Sequence, residues 1–364
     1  METTENKVRE PLFHIAKRAY IPWYKAWCIR LIAILAAFII CGILSFIVIG
    51  ASPLDFYSAL LKGSLGSQRK IWKFLKDAAV LLCISLAVTP AFRMKFWNIG
   101  AEGQTLMGAL ATAACMFYLG GKLPDALLLV VMFVSAIVVG SIWGTIPAIF
   151  KAIWNTNETL FTLMMNYVAT CIVSYFLIIW TPNGSSSLGV LPDGHLPIIG
   201  NEYLLIILIT VFIAIAMYIY LYYSKHGYEI SVVGESYKTA CYIGIDVKKV
   251  IIRTMILSGA LCGLAGFLIV SGLDHSVTTE TVGGRGFTAI MVSWLAKFNP
   301  AVMALTSLFI VFLSQGSAQV SQNFDVSPAF PDMITGIILF FIIGCEFFIQ
   351  YKINFRSRKN GGKK

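Results

Sequence analysis

Charge is what this 364-residue chain has least of: Asp, Glu, Lys and Arg make up 13% of it, against about 25% in an ordinary soluble domain. So little charge excludes a soluble enzyme and a disordered protein, which both need a polar surface to stay in water. Lys and Arg outnumber Asp and Glu by 28 to 18, a net charge of +10, yet a nucleic-acid binder is excluded as well. Such a protein gathers its cations on one polar face, whereas here they stand in short islands between apolar runs. Motifs of catalysis are missing too. There is no G-x-x-x-x-G-K-[ST] phosphate loop, so the chain does not bind ATP in the usual way by itself, and no H-E-x-x-H or G-x-S-x-G. The four histidines, His14, His195, His226 and His275, have no metal-ligand spacing. No C-x-x-C pair occurs, and of the eight cysteines only Cys241 lies outside or away from an apolar segment, which suits small packing residues rather than zinc or disulfides. These absences point to a chain that is no enzyme and needs no cofactor.

What is abundant is apolar: 58% of the residues are hydrophobic. They fall into ten candidate membrane segments, at about 31–49, 78–92, 100–119, 124–149, 158–180, 203–223, 250–271, 287–296, 300–316 and 332–350. A helix rises ~1.5 Å per residue, so about 20 residues cross a ~30 Å hydrocarbon core. The segment 287–296 is too short for that and reads as tilted, broken or re-entrant. The fold class expected is therefore an all-α polytopic membrane protein of about ten segments, one short or broken. Residues 1–30 form a basic N-terminus, 31–350 the membrane domain and 351–364 a basic tail. With the N-terminus inside, 21 of the 28 cations fall on the cytoplasmic side and seven outside, as the positive-inside rule requires for both termini in the cytoplasm. Five of those seven lie in Pro53–Lys76, which reads as an amphipathic helix on the membrane surface with Leu60, Leu61, Ile71, Trp72, Phe74 and Leu75 toward lipid.

Two connections are long. Pro182–Asn201, rich in Gly, Ser and Pro, suits a lip over an outer entrance. Ser224–Lys249 is the longest inner loop; within it Glu235–Ile243 reads as a short helix stopped by Gly244, with Asp246 capping the next one. Trp97, Trp154, Trp180 and Trp294 stand near segment ends as interface anchors. The pairs Gly140/Gly144 and Gly259/Gly263 read as helix-packing faces.

The densest cluster of polar groups is Asn98-Ile99-Gly100-Ala101-Glu102-Gly103-Gln104, at the start of a membrane segment. Its glycines admit close approach, and an ionisable residue at membrane depth is a functional candidate; alternatively Glu102 favours its helix N-terminus or pairs with Arg285. The pattern G-x-(charge)-G-x-T recurs at Gly283-Gly-Arg285-Gly286-Phe287-Thr288, and Asn157-Glu158…Thr162 is echoed by Pro331-Asp332…Thr335. The copies run in opposite directions, so a repeat built on them would be inverted, a plan in which broken helices meet near the midplane. Thr162 and Asn166, one turn apart, either glue helices together or line a cavity.

Taken together, Asn98–Gln104, then Asn157-Glu158 with Leu163-Met164-Met165-Asn166-Tyr167, strongly resemble bacterial ABC-importer permeases for nucleosides and simple sugars. Gly234…Ala240…Gly244-Ile245, Ser258-Gly259-Ala260…Gly263-Leu264-Ala265-Gly266, Gly286–Ile290 and Pro331-Asp332…Thr335-Gly336 fit the same family, in order over roughly 80–350. Departures are Thr239, where a small alanine is common, and Ser293-Trp294 in a stretch usually built from small residues. The resemblance implies a permease in the bacterial cytoplasmic membrane, surrounded by lipid, with three partners. These are a cytoplasmic ATP-binding subunit, a second homologous permease and an extracellular or periplasmic substrate-binding protein or lipoprotein. It implies a coupling helix in 224–249 carried by Gly234, Glu235, Tyr237, Ala240, Gly244 and Ile245. A nucleoside is neutral and amphipathic, so Asn98, Glu102, Gln104, Asn166, Arg285, Phe287 and Thr288 are the candidate pathway residues. The alternatives from other classes are an ion-coupled secondary transporter using Glu102 and Arg285, and a membrane scaffold that moves nothing.

Overall fold

Helices fill nearly all of the described chain, in the order β1(Phe13–Lys17), α1(Trp23–Ile49), α2(Pro53–Leu65), α3(Gln68–Arg93), α4(Ala101–Leu119), α5(Asp125–Trp154), α6(Glu158–Trp180), α7(Leu204–Tyr223), α8(Lys225–Glu235), α9(Tyr237–Tyr242), α10(Val247–Ile269), α11(Arg285–Leu295), α12(Pro300–Phe324), α13(Ala329–Gln350), β2(Tyr351–Phe355). A single π-turn, Val270–Asp274, extends α10. The computed structural model describes residues 13–18, 20–50, 52–181, 187–327 and 329–355. The basic residues at either end, positions 182–186 of the outer loop and the side chains of Pro331 and Asp332 lie outside that description.

The chain divides into two compact units, residues 1–63 with 313–364, and 64–312. In the first, α1 runs beside α13, joined by an Arg30–Glu346 ion pair of 3.3 Å. The flanking strands β1 and β2 pair antiparallel, from Phe13↔Phe355 to Lys17↔Tyr351, a short ribbon that helical periodicity does not announce. Because β1 precedes α1 and β2 follows α13, the pairing brings the start of α1 and the end of α13 together. The expected surface helix over 53–76 is two elements. In α2 the side chains of Phe56, Ala59 and Leu60 are buried while Leu54, Leu61 and Leu65 are exposed, and a Cβ on Gly63 would come within 2.8 Å of the Gly316 backbone. The break comes at Gly66-Ser67, where the Ser67 hydroxyl accepts from the Lys70 amide and starts α3. Of the residues expected to face lipid, Leu60 and Phe74 are inside.

In the second unit α3 is the axis: every residue from Ala78 to Phe92 is buried. Around it α4, α5 and α10 meet backbone to backbone. The Gly140/Gly144 and Gly259/Gly263 faces pack on each other, and a Cβ on Gly140 would sit 2.7 Å from the Gly263 Cα. A Cβ on Gly108 of α4 would sit 2.6 Å from the Gly263 carbonyl oxygen. Ser293 of α11 donates to the Ser85 carbonyl of α3 (3.0 Å), which explains a hydroxyl where a smaller side chain is usual. Trp180 is buried against Phe117 and donates to the Tyr118 hydroxyl (2.9 Å), so it is a packing residue rather than an interface anchor.

Among the described residues seven helices are long and apolar enough to cross a membrane, fewer than the ten segments expected. The three that fall short are α3, α4 and α11. Segments facing protein do not need to match lipid, so they can carry Ser, Thr, Asn and Glu that bond to neighbouring helices. That is why the most central helices are the less apolar ones.

Candidate functional site

The site begins where α3 ends. Lys95 takes a left-handed backbone (φ 60°), and the chain turns through Phe96–Gly100 into α4. Asn98 is wholly buried. Its Oδ1 accepts from the Gly100 amide (3.0 Å) and the Gln104 Nε2 (3.2 Å), and its Nδ2 donates to the Ser258 hydroxyl of α10 (3.2 Å). Asn98 and Gln104 thus use their hydrogen-bonding groups on each other and on Ser258. Asn166 of α6 accepts from the Gly103 amide (2.9 Å) and donates to the Ile99 carbonyl (3.0 Å), while the Thr162 hydroxyl accepts from the Ile99 amide (3.2 Å). Of the two alternatives for this pair, glue is the one the geometry matches: α6 supplies the peptide partners that the α3–α4 turn lacks.

Glu102, on the first turn of α4, reaches across to the start of α11. Its two oxygens accept from the backbone amides of Gly284 and Gly286, each at 2.7 Å. A carboxylate is the natural ligand of the free amides at a helix N-terminus. Gly284 needs its left-handed φ of 75° to present its amide, and a Cβ on Gly286 would lie 2.7 Å from both the Cα and Oε2 of Glu102. The two G-x-(charge)-G-x-T segments therefore touch, through the carboxylate of one and the glycine amides of the other. Arg285 does not pair with Glu102; it turns to Asp77 of α3 at 3.9 Å, and Asp77 also holds Lys76 at 3.2 Å. Thr288 donates to the Gly284 carbonyl in its own helix (3.2 Å), and Phe287 is exposed. Eleven residues of α11 rise about 16 Å, roughly half of a ~30 Å core. Among the described residues no group of three or more His, Cys, Asp or Glu could hold a metal ion.

The loop 224–249 contains two helices where one was expected. Ser224 caps α8 through the Gly227 amide (3.0 Å), and Ser236 caps α9 through the Thr239 amide (3.3 Å). Glu235 therefore ends α8 rather than opening the second helix. Gly244 has a φ of 82°, and Asp246 caps α10 through the Lys249 amide (3.2 Å), both as expected. On α9, Ala240 is buried while Tyr237 is exposed and Tyr242 is 92% exposed. Gly234 lies so close to α3 that a Cβ would strike the Arg93 carbonyl oxygen. Arg93 in turn donates to the Leu221 carbonyl (3.3 Å) and lies over the Tyr222 ring. Met94 and Phe96 pack in one apolar cluster with Ile230 of α8 and Val250 and Met255 of α10. The floor beneath the loop 224–249 is thus the turn that carries Asn98 and leads into α4, where Glu102 stands.

Glu229 ties α8 to α10 through Arg253 at 2.8 Å, with His226 at 3.6 Å. The hydrogen bond from Arg253 holds the Glu229 carboxyl below its ordinary value. Stabilisation from a lowered carboxyl is complete above the unfolded value, about 4.3, and disappears as pH falls through the lower folded one. The tether is therefore intact at neutral pH. Glu229→Gln is expected to speed protease cleavage within 224–249 severalfold in inside-out vesicles at pH 7, whereas moving the parent chain from pH 8 to pH 6 leaves the rate unchanged. Equal rates for variant and parent at pH 7 would remove the tether from the account.

Sequence reasoning did not find Ser258, Asp77 or Ser293 as site residues. Each carried one signal, a lone polar side chain in or at the head of an apolar run, without naming its partner.

The model of a family described as branched-chain amino acid transport system, permease component, matches residues 70–343. The chain is 28% identical over 361 residues to the glucose ABC transporter permease protein TsgB13 of Haloferax volcanii, covering 94% of each. To the guanosine ABC transporter permease protein NupP of Bacillus subtilis it is 28% identical over 310 residues, covering 83% of this chain and 88% of that one. A second guanosine ABC transporter permease protein of Bacillus subtilis, NupQ, is 24% identical over 249 residues, covering 65% of this chain and 77% of that one.

Proposed function

The chain belongs to the permease-component family of branched-chain amino acid transport systems, and from that premise we propose that it is the membrane-spanning subunit of an ATP-driven importer of nucleosides or related simple sugars. The observation that carries the reading is the seat of the inner loop. Helices α8 and α9 offer exposed Tyr237 and Tyr242 outward, while Gly234 and Ile230 press on Arg93 and Phe96, the end of α3 and the turn into α4. A push on α9 is delivered to that turn, and through Glu102 to the N-terminus of α11. With no phosphate loop of its own, the chain takes that push from a separate cytoplasmic ATP-binding subunit. A second permease completes the pathway, in keeping with two similar guanosine permeases in one organism. A substrate-binding protein or lipoprotein delivers the solute from outside. In this reading both termini lie in the cytoplasm; the β1–β2 pairing, which joins the two ends of the membrane domain, and the positive-inside count support it.

Within this reading Asn98, Gln104 and Asn166 hold the pathway's frame, since their polar atoms are bonded to protein, and Glu102 with Gly284–Gly286 forms the joint between its moving parts. Phe287 remains the side chain of that group free to meet a solute. The names of the relatives, glucose in one and guanosine in two, support the substrate range.

The test is uptake by proteoliposomes holding the chain with its ATPase and partner permease. Gly244→Val forces a β-branched residue into a left-handed turn. It is expected to cut ATP-driven nucleoside uptake at least tenfold while the binding protein still captures substrate and docks. Unchanged uptake would reject the coupling role, and uptake that needs no ATPase but collapses with a protonophore would favour an ion-coupled transporter.

A further inference from the structure

Two polar cavities on the loop side of α3 adjoin each other within the 64–312 unit. One, of about 530 Å³, is lined by Gln68, Arg69 and Trp72 of α3 and by Asn201, Glu202 and Tyr203. The other, of about 240 Å³, is lined by His195, Ser271 and His275. Ile198, Glu202 and Tyr203 line both, so the two form one double cleft. Its far wall is built rather than loose. The amides of Leu188, Leu191 and Leu196 donate to the carbonyls of Val277, His275 and Ser271 at 3.2, 2.8 and 3.0 Å. The His195 and His275 rings stack at 3.8 Å, and His275 is held in a left-handed backbone with φ 48°.

Three features set this cleft apart from an ordinary polar crevice. The ring of His275 lines the smaller cavity, and its Nδ1 is buried without a hydrogen-bond partner, a state that is rare for a polar atom. Burial and the neighbouring His195 ring push the His275 imidazole below its ordinary value, with Glu202 opposing, which favours the neutral ring. The charged walls balance, Arg69 against Glu202, while Trp72 and Tyr203 add two aromatic rings. The cleft also leads somewhere. Lys76 lies over the Tyr203 ring at 5.2 Å and bonds Asp77, Asp77 holds Arg285, and Arg285 sits between the two glycines that grip Glu102. A continuous line of polar groups runs from the cleft to the joint of α4 and α11.

We propose that this double cleft is an outer receiving site, where an uncharged nucleoside rests its base on Trp72 and Tyr203 and offers its hydroxyls and ring nitrogens to Glu202, Arg69 and His275 before moving inward. Two aromatic side chains among polar ones match a heterocycle joined to a diol better than they match a bare hexose. The inference rests on the importer reading above and narrows its substrate class.

The experiment uses the full transporter carrying Asn201→Cys in proteoliposomes, labelled without the binding protein and assayed for uptake with it. Labelling by a membrane-impermeant maleimide is measured with guanosine, uridine or glucose added, and the parent chain supplies the background from its native cysteines. Millimolar nucleoside is expected to slow labelling at least fivefold and glucose to leave it unchanged. Trp72→Ala should remove the protection and raise KM for uptake about tenfold with kcat unchanged; Trp72→Phe, which keeps a ring, should restore both. No protection in a complex that does transport nucleosides would overturn the receiving site and leave the importer reading standing. Equal protection by glucose would overturn the nucleoside class. Protection in a complex that shows no ATP-driven uptake would uphold the site and count against the importer reading instead.

Discussion

Glu102→Ala is expected to abolish uptake and to lower the thermal midpoint of the purified chain more than truncation of any other pathway candidate. The carboxylate is the acceptor for two backbone amides, Gly284 and Gly286, on an element 182 residues away in sequence. Removing it leaves both donors in a partly buried joint without an acceptor, which methyl cannot supply. A hydrogen bond to a charged group contributes about 1.5–3 kcal/mol, and an orphaned buried donor adds its own desolvation cost. Two together amount to roughly 3–6 kcal/mol, a large part of the 5–15 kcal/mol that stabilises a typical domain. Glu102→Gln keeps one accepting oxygen and should lose about half as much; Glu102→Asp, one methylene shorter, should resemble alanine. Thermal unfolding followed by fluorescence in detergent, with uptake in proteoliposomes, measures both effects. An alanine variant as stable and active as the parent would show that the α4–α11 joint is incidental.

Gly263→Leu is expected to prevent the protein from accumulating in the membrane. Gly263 stands where α4, α5 and α10 cross. A Cβ there would fall on the Ala136 carbonyl oxygen and within 3.3 Å of the Gly140 Cα, and Gly108 and Gly140 approach from the other two helices. Overpacking a core usually costs about 1–3 kcal/mol because side chains can move. Here the neighbours are backbone, so whole helices must separate and the cost rises above that range. Gly263→Ala should give partial loss, visible as reduced yield and a broadened size-exclusion peak. Gly336→Ala is the control: a Cβ there meets nothing within 4 Å, and alanine favours the helix by up to about 1 kcal/mol. If Gly263→Leu accumulates like the control, the three-helix crossing is not the constraint described.

Much of this architecture was legible from local pattern. Apolar runs of about 20 residues identified the lipid-facing helices, and the Asp246 cap marked the start of α10. The pattern failed where a helix faces protein. The N-terminal half of α3 carries Arg69, Lys70, Lys73 and Lys76, which read as a surface helix, yet the same element continues into the most buried stretch of the unit. Helix α8 escaped notice because its sequence, Lys225–Glu235, is polar and short, and only its serine cap signalled it.

The candidate site divides along the same line. Composition and hydropathy by themselves determined that the chain is a polytopic membrane protein, that the α3–α4 turn is rich in groups with bonds to make, and that two glycine-flanked charges echo each other. They did so because solvation by lipid and the glycine requirement of close approach are properties of single residues and short spacings. Only the tertiary structure decided the partners: Asn98 with Gln104 and Ser258, Asn166 with the Gly103 and Ile99 backbone, Arg285 with Asp77, and Glu102 with two glycine amides rather than with the opposite charge beside them. A buried polar group must be satisfied, but several partners satisfy it equally in principle. Which one it meets depends on how distant helices cross, and in this chain that is set by glycines at Gly108, Gly140, Gly263 and Gly286, where backbones touch.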